Sequence, residues 1–71
     1  MSGGVEKTET LAEYELPWNK HVSVQEISYE GGMSMLRLRI REGRRFTDLE
    51  LMAENATALA KDLENWAAKQ K

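Results

Sequence analysis

Arginine is concentrated in one short segment of the chain, and it is the residue type here with the clearest capacity to bind a ligand. The five arginines are Arg37, Arg39, Arg41, Arg44 and Arg45. Only Glu42 opposes them within that segment. Guanidinium groups bind carboxylates and phosphates through paired N–H donors. Because the net charge is −2, the sequence indicates a local basic patch rather than a general polyanion binder.

Groups that could perform catalysis are scarce. His21 is the only histidine and there is no cysteine, which excludes a thiol nucleophile and leaves too few ligands for a structural zinc site. We expect His21 to be an exposed residue at a strand end, because a general base needs an oriented partner and a pocket. Glu26, Asp48 and Glu50 are expected to form ion pairs with arginines. The sequence therefore predicts a protein that is not an enzyme, with no cofactor and no metal.

Three strands and two tight turns are predicted to position the arginines. Residues 21–30, 33–41 and 44–51 are the strands, and Gly31-Gly32 and Glu42-Gly43 are the two-residue turns between them. Val22 and Val24 are out of phase with Ile27 and Tyr29, which indicates a β-bulge near Gln25-Glu26.

Together the two turns predict a register. Leu36 would lie opposite Leu49 on one side and opposite Ile27 on the other. Arg37 would then lie between Glu26 and Asp48 across three strands. Such cross-strand pairs each contribute roughly 0.2–1 kcal/mol.

This register divides the side chains between two faces of the sheet. The apolar face would carry Leu36, Leu38, Ile40, Leu49 and Leu51. The opposite, polar face would carry Met35, Arg37, Arg39 and Phe46. A helix over residues 53–70 is predicted by the spacing of Ala56, Leu59, Leu63 and Trp66, and we expect this stripe to cover the apolar face.

The remaining N-terminal segment is predicted to contribute little to the core. Residues 1–12 are polar and acidic and are expected to be a disordered tail, so that one domain spans 13–71. Residues 13–18 form a fourth, edge strand if they pair with the sheet, since Pro17 lacks a backbone donor. The fold class is therefore α+β: a three-stranded antiparallel meander, or a four-stranded one, packed against one C-terminal helix.

The environment of the chain is predicted from the same composition. No stretch approaches the ~20 apolar residues of a membrane span, and the first residues do not form a secretory signal. A cytoplasmic location is expected, because the absence of cysteine fits a reducing compartment. A domain of 71 residues is marginal alone, so it needs either a well-packed small core or association with another chain.

Two binding functions are predicted from the open, polar face. The first is interaction with a protein, either a partner or a second copy, because arginine, methionine and aromatic residues are enriched at interfaces. The alternative is binding of single-stranded nucleic acid, with Phe46 opposite Arg39 to stack a base. The candidate binding residues are Arg39, Arg41, Arg44, Arg45, Phe46, Met35, Arg37 and Trp18.

The segment Ile40-Arg41-Glu42-Gly43-Arg44-Arg45, followed by a short strand and a helix, resembles the single-stranded-DNA-binding transcriptional positive-coactivator family. That family's order of elements is similar, and the resemblance implies a dimer of curved sheets that binds single strands. The chain departs from the family because the two halves of the motif are fused here without the family's long loop. The aromatic residue after Ile-Arg-Glu is missing, and so is the family's usual excess of basic residues. The Leu-Pro-Trp-Asn-Lys sequence at Leu16–Lys20 is also similar to small bacterial domains of unknown function.

Overall fold

Four antiparallel strands and one C-terminal helix make up the fold in the computed structural model, which describes residues 4–70. The elements are β1 (Val5–Leu16), β2 (Lys20–Tyr29), β3 (Ser34–Glu42), β4 (Arg45–Leu51) and α1 (Ala53–Ala68). The strands pair in chain order, β1-β2-β3-β4, so the sheet is an open meander with β1 and β4 at its edges. The predicted α+β class is confirmed, and the sheet is the four-stranded one.

Strand β1 corrects the prediction of a disordered tail over residues 1–12. Residues 5–12 belong to β1 and pair with β2, with Thr8 opposite Ile27 and Tyr14 opposite Val22. The rest of the predicted tail, residues 1–3, lies outside the described residues. The segment resembled a tail because it is rich in charged residues, which is also how an exposed edge strand avoids pairing with other chains.

The turn between β2 and β3 is one residue longer than predicted, so the observed pairing of β2 with β3 differs from the predicted register by one residue. Tyr29 donates its N–H to the Met33 carbonyl at 2.8 Å, so three residues rather than two form the loop. Ile27 consequently lies opposite Met35, and Gln25 rather than Glu26 lies opposite Arg37. A shift of one residue moves side chains to the other face. The predicted pairs Ile27–Leu36 and Glu26–Arg37 are therefore wrong.

The predicted bulge near Gln25-Glu26 is also wrong. The β2–β3 ladder runs without interruption, and the irregularities lie in β1, between Val5 and Lys7 and between Thr10 and Ala12. The change of apolar phase along β2 has a different cause: Val22 and Val24 share the face of Leu38, whereas Ile27 shares the face of Met35 and Arg37. Both faces of β2 therefore carry apolar side chains.

The turn between β3 and β4 is formed by Gly43-Arg44 instead of Glu42-Gly43. Gly43 has φ 60°, and glycine at the first central position is the arrangement of a type II′ hairpin turn. This moves the pairing by two residues, so Leu36 lies opposite Leu51 and Leu38 opposite Leu49. Because the shift is even, every side chain stays on its predicted face.

Helix α1 does not cover the sheet, contrary to the prediction. It contacts only β3 and β4, and none of its described residues is buried. Its first turn is held by Asn55, whose Oδ1 accepts the Met52 N–H at 3.0 Å. Only Met52 separates β4 from the helix. A helix that runs back over its own strand needs a longer connection, typically 2–6 residues.

Candidate functional site

The polar face of the sheet is organised by pairs of oppositely charged side chains on β3 and β4. We call this surface the arginine face; its residues are His21, Ile27, Tyr29, Met35, Arg37, Arg39, Arg41, Phe46, Asp48 and Glu50. Arg37 Nη2 lies 3.0 Å from Glu50 Oε2, and Tyr29 Oη donates to Glu50 Oε1 at 3.0 Å. Arg39 donates two hydrogen bonds, of 3.0 and 3.3 Å, to the carboxylate of Asp48. Two of the five arginines thus have their charge balanced by a facing carboxylate.

These contacts change the acid–base behaviour of the groups that make them. The hydrogen bond from Arg37, and then that from Tyr29, lowers the pKa of the Glu50 carboxyl. The hydrogen bond to Glu50 raises the pKa of the Tyr29 hydroxyl. Glu50 is therefore held as a carboxylate and Tyr29 as a neutral phenol, which is the protonation state of a structural ion pair rather than of a general acid and base.

The three remaining arginines lie at or beside the β3–β4 turn: Arg41 is on the arginine face, Arg44 is in the turn, and Arg45 is on the opposite face, across from Glu42. Within residues 4–70, no carboxylate forms an ion pair with Arg41, Arg44 or Arg45. The guanidinium carbon of Arg39 lies 5.1 Å from the centre of the Phe46 ring. Phe46 and Arg39 are therefore close together, as predicted. They are not directly opposite each other, however, because Phe46 pairs with Arg41 and contacts Arg39 diagonally.

The sheet topology brings Trp18 to the same end. The β1–β2 turn at 17–19 and the β3–β4 turn both lie beyond the Lys20–Glu42 pair. Trp18 is 87% exposed and has φ 68°, a left-handed backbone conformation that is rare for a bulky residue. Met35 lies toward the opposite end, half-buried beside Ile27. The eight predicted site residues are therefore divided between two ends of the sheet.

His21 is held between two carboxylates on β1. Its Nδ1 lies 2.8 Å from Glu15 Oε2 and its Nε2 lies 2.9 Å from Glu13 Oε1. These hydrogen bonds, first that of Glu15 and then that of Glu13, raise the pKa of the imidazole. In the protonated imidazole both ring nitrogens donate, one to each carboxylate, and in that state His21 has no lone pair for proton abstraction or metal binding.

The opposite face of the sheet is apolar and uncovered. We call this surface the apolar face; its residues are Tyr14, Leu16, Val22, Val24, Leu36, Leu38, Ile40, Leu49 and Leu51. None of them is buried, and Leu49 remains 48% exposed. The sole buried hydrophobic side chain within residues 4–70 is Ile27, on the arginine face. The faces of β3 and β4 were sorted correctly from the sequence, but the apolar face was missed as a candidate site because α1 was expected to cover it.

The apolar stripe of α1 is uncovered too. The exposed fraction of its large side chains is 38% at Leu59, 61% at Leu63 and 65% at Trp66. It is highest in the half of the helix farther from the sheet, as expected for a helix that projects from the end of β4. Trp66 was predicted to be a core residue, and that prediction is wrong for the single chain.

The dimensions of the chain agree with this open arrangement. Its radius of gyration is 14.2 Å, against roughly 11 Å for a compact domain of this length. Its accessible surface is 5961 Å², about 1,500 Å² more than the ~4,500 Å² expected for a compact protein of this mass. The single chain therefore leaves exposed an area that a typical domain of its size would bury.

The fold and these surfaces define a small α+β domain: an open four-stranded antiparallel sheet with a projecting C-terminal helix. The helix is too short to span a membrane, and the described residues contain no other helix. Residues 5–69 match the model of a family of unknown function, DUF6967, and the chain belongs to that family. No curated protein and no solved structure matched the chain. The match supports a small domain of unknown function and adds no support to the resemblance to the DNA-binding coactivators.

Proposed function

We propose that this protein is a non-catalytic interaction module of the cytoplasm that works by assembling with another protein through its sheet. The observation that carries the proposal is the uncovered apolar face. Monomeric proteins rarely expose contiguous apolar patches beyond a few hundred Å², and larger patches mark interaction sites. The contact surface that we propose differs from the one expected from the sequence, because two of the arginines on the arginine face are already paired with carboxylates within the chain.

Strand β4 offers a matched pair of variants to test this proposal. Leu49 and Phe46 are both large, apolar and about half exposed, at 48% and 55%, and they lie on opposite faces of the same edge strand. Leu49→Asp is expected to remove assembly, whether with itself or with a partner, because it places a charge in the contact. Phe46→Asp is expected to retain it.

Light scattering measures the mass of each variant alone, and affinity capture from native extract measures partner binding. Circular dichroism confirms that both variants remain folded. Loss of assembly in Phe46→Asp with retention in Leu49→Asp would move the contact to the arginine face. If neither variant changed the mass or the partners recovered, the interaction proposal would be wrong.

Binding of single-stranded nucleic acid is the second candidate, and one observation favours it. Arg41 lies opposite Phe46 on the arginine face and Arg44 lies in the adjoining turn, and neither has a carboxylate in ion-pair contact among the described residues, so they can neutralise phosphates while the ring stacks a base. Arg45 lies on the opposite face, across from Glu42. Arg37 and Arg39 contribute less, since Glu50 and Asp48 already engage them.

Fluorescence anisotropy with a labelled oligonucleotide separates the two functions. Phe46→Asp and Arg44→Glu are expected to abolish a salt-dependent interaction that Leu49→Asp retains. Absence of binding by the wild-type protein at low salt would eliminate this candidate.

A further inference from the structure

The two uncovered apolar surfaces of the chain are complementary to each other. The apolar face has the form of a sheet that lacks its covering helix, and the stripe of α1 has the form of a helix that lacks its sheet. Such surfaces pack as two layers around one core in α+β domains. Helix α1 has 16 residues, a length of about 24 Å, and β3 has 9 residues, a length of about 30 Å. The helix is therefore long enough to cover most of the face.

The connection to β4 prevents the helix from reaching the sheet of its own chain. Met52 is the only residue between Leu51 and Ala53, and it adopts an extended conformation, φ −86° and ψ 169°. Reversing the chain direction there would require melting the first helical turn and breaking the bond between Met52 N–H and Asn55. Because α1 projects away from its own sheet, its apolar stripe has no covering surface within the chain. The stripe must therefore be covered by another molecule.

We infer that the molecule that covers the apolar face is a second copy of this chain, and that the two copies exchange their α1 helices about a twofold axis. This inference rests on the proposed function, because it names the partner of the same surface. A twofold exchange places the helix of each copy on the sheet of the other, so one operation covers both surfaces in both chains. Stripe residues Leu59, Leu63 and Trp66 would meet Val24, Leu38 and Leu49 of the second copy.

The area supports a stable dimer of this kind. The excess of about 1,500 Å² per chain becomes about 3,000 Å² for two chains. Obligate homodimers bury roughly 2,000–5,000 Å² and have apolar interfaces, whereas transient contacts bury less than about 1,200 Å². Covering the exposed surface by exchange would therefore bring each chain close to the surface area of a compact domain.

Thiol crosslinking tests the exchange, because the chain has no native cysteine. Two single-cysteine variants, Leu63→Cys and Leu38→Cys, are mixed, allowed to exchange subunits and treated with a short bis-maleimide. We expect a crosslinked product with the mass of two chains. Lys61→Cys is the matched control, because Lys61 lies on the opposite side of α1 from Leu63, and its mixture with Leu38→Cys should give little product.

The other outcomes each overturn the exchange. A double variant carrying both cysteines that crosslinks within one chain at high dilution would show that the helix closes on its own sheet. Crosslinking between two Leu38→Cys chains alone would show sheet-to-sheet packing, and crosslinking between two Leu63→Cys chains alone would show a helix pair. A monomer without crosslinks overturns self-association. The proposed interaction function fails separately, if Leu49→Asp leaves every assembly unchanged.

Discussion

The melting temperature of the protein should depend on its concentration, because exchanged helices make folding and association one process. Unfolding a 71-residue chain absorbs about 50 kcal/mol, hence about 100 kcal/mol for the pair. A tenfold rise in concentration stabilises a dimer by about 1.4 kcal/mol. With these values the midpoint near 60 °C should rise by about 5 °C for each tenfold increase, and by about 10 °C for a hundredfold increase.

Circular dichroism at high concentration and fluorescence of the two tryptophans at low concentration cover the necessary range. Leu63→Glu should lower the midpoint at every concentration, because it places a carboxylate in the covered stripe. Lys61→Glu, on the other side of the helix, should keep the wild-type midpoint at each concentration. A wild-type midpoint that stays constant within about 1 °C over a hundredfold range would show that folding and association are not coupled, since the midpoint of a two-state dimer must shift with concentration.

Three further predictions concern single residues. In an NMR titration the ring of His21 should show a pKa above the ordinary 6.5, and Glu15→Gln should lower it more than Glu13→Gln. Because that pKa is raised in the folded state, its stabilisation is complete below about pH 6.5 and is lost as the pH rises through the folded value; His21→Gln should remove this pH dependence of unfolding. Ile27→Ala should lower the free energy of unfolding in urea by about 2–5 kcal/mol, because it empties the one fully buried site in residues 4–70, and a loss below about 0.5 kcal/mol would contradict that burial. Trp18→Gly should be more stable to urea than Trp18→Ala by about 1 kcal/mol, because only glycine adopts φ 68° without strain, and equal stabilities would contradict the backbone conformation.

Strands β2, β3 and β4 and the sorting of side chains on β3 and β4 were predictable, because alternation of apolar and polar residues is a local signal, whereas the charged residues 5–12 of β1 carry no such alternation. The exact register was not predictable, since it depends on loop length at two turns. The type II′ preference for glycine at the first central position selects Gly43-Arg44, and a three-residue loop after Tyr29 shifts β2 by one residue. The two-residue shift at the β3–β4 turn leaves every β4 side chain on its predicted face, whereas the one-residue shift at the β2–β3 turn places Ile27 on the arginine face.

The position of the helix was not predictable from its amphipathic pattern. The stripe of Leu59, Leu63 and Trp66 indicates that something apolar will face it, but the pattern cannot say which chain supplies that surface. The signal that was available is the length of the connection: Leu51 ends the strand and Ala53 begins the helix, which leaves too little chain for a reversal. The carboxylate partners of Arg37 and Arg39 were predictable in type, but their identity depends on the register.

If the apolar face is a contact surface, solvent should be excluded from its methyl groups, and their solvent accessibility can be measured. NMR spectra recorded with a soluble paramagnetic probe report how closely solvent approaches Leu38 and Leu49, with the Phe46 ring on the opposite face as an internal reference. We expect the two leucines to be protected while Phe46 is strongly broadened. Broadening of Leu38 and Leu49 to the extent expected from their exposure in the single chain would contradict it.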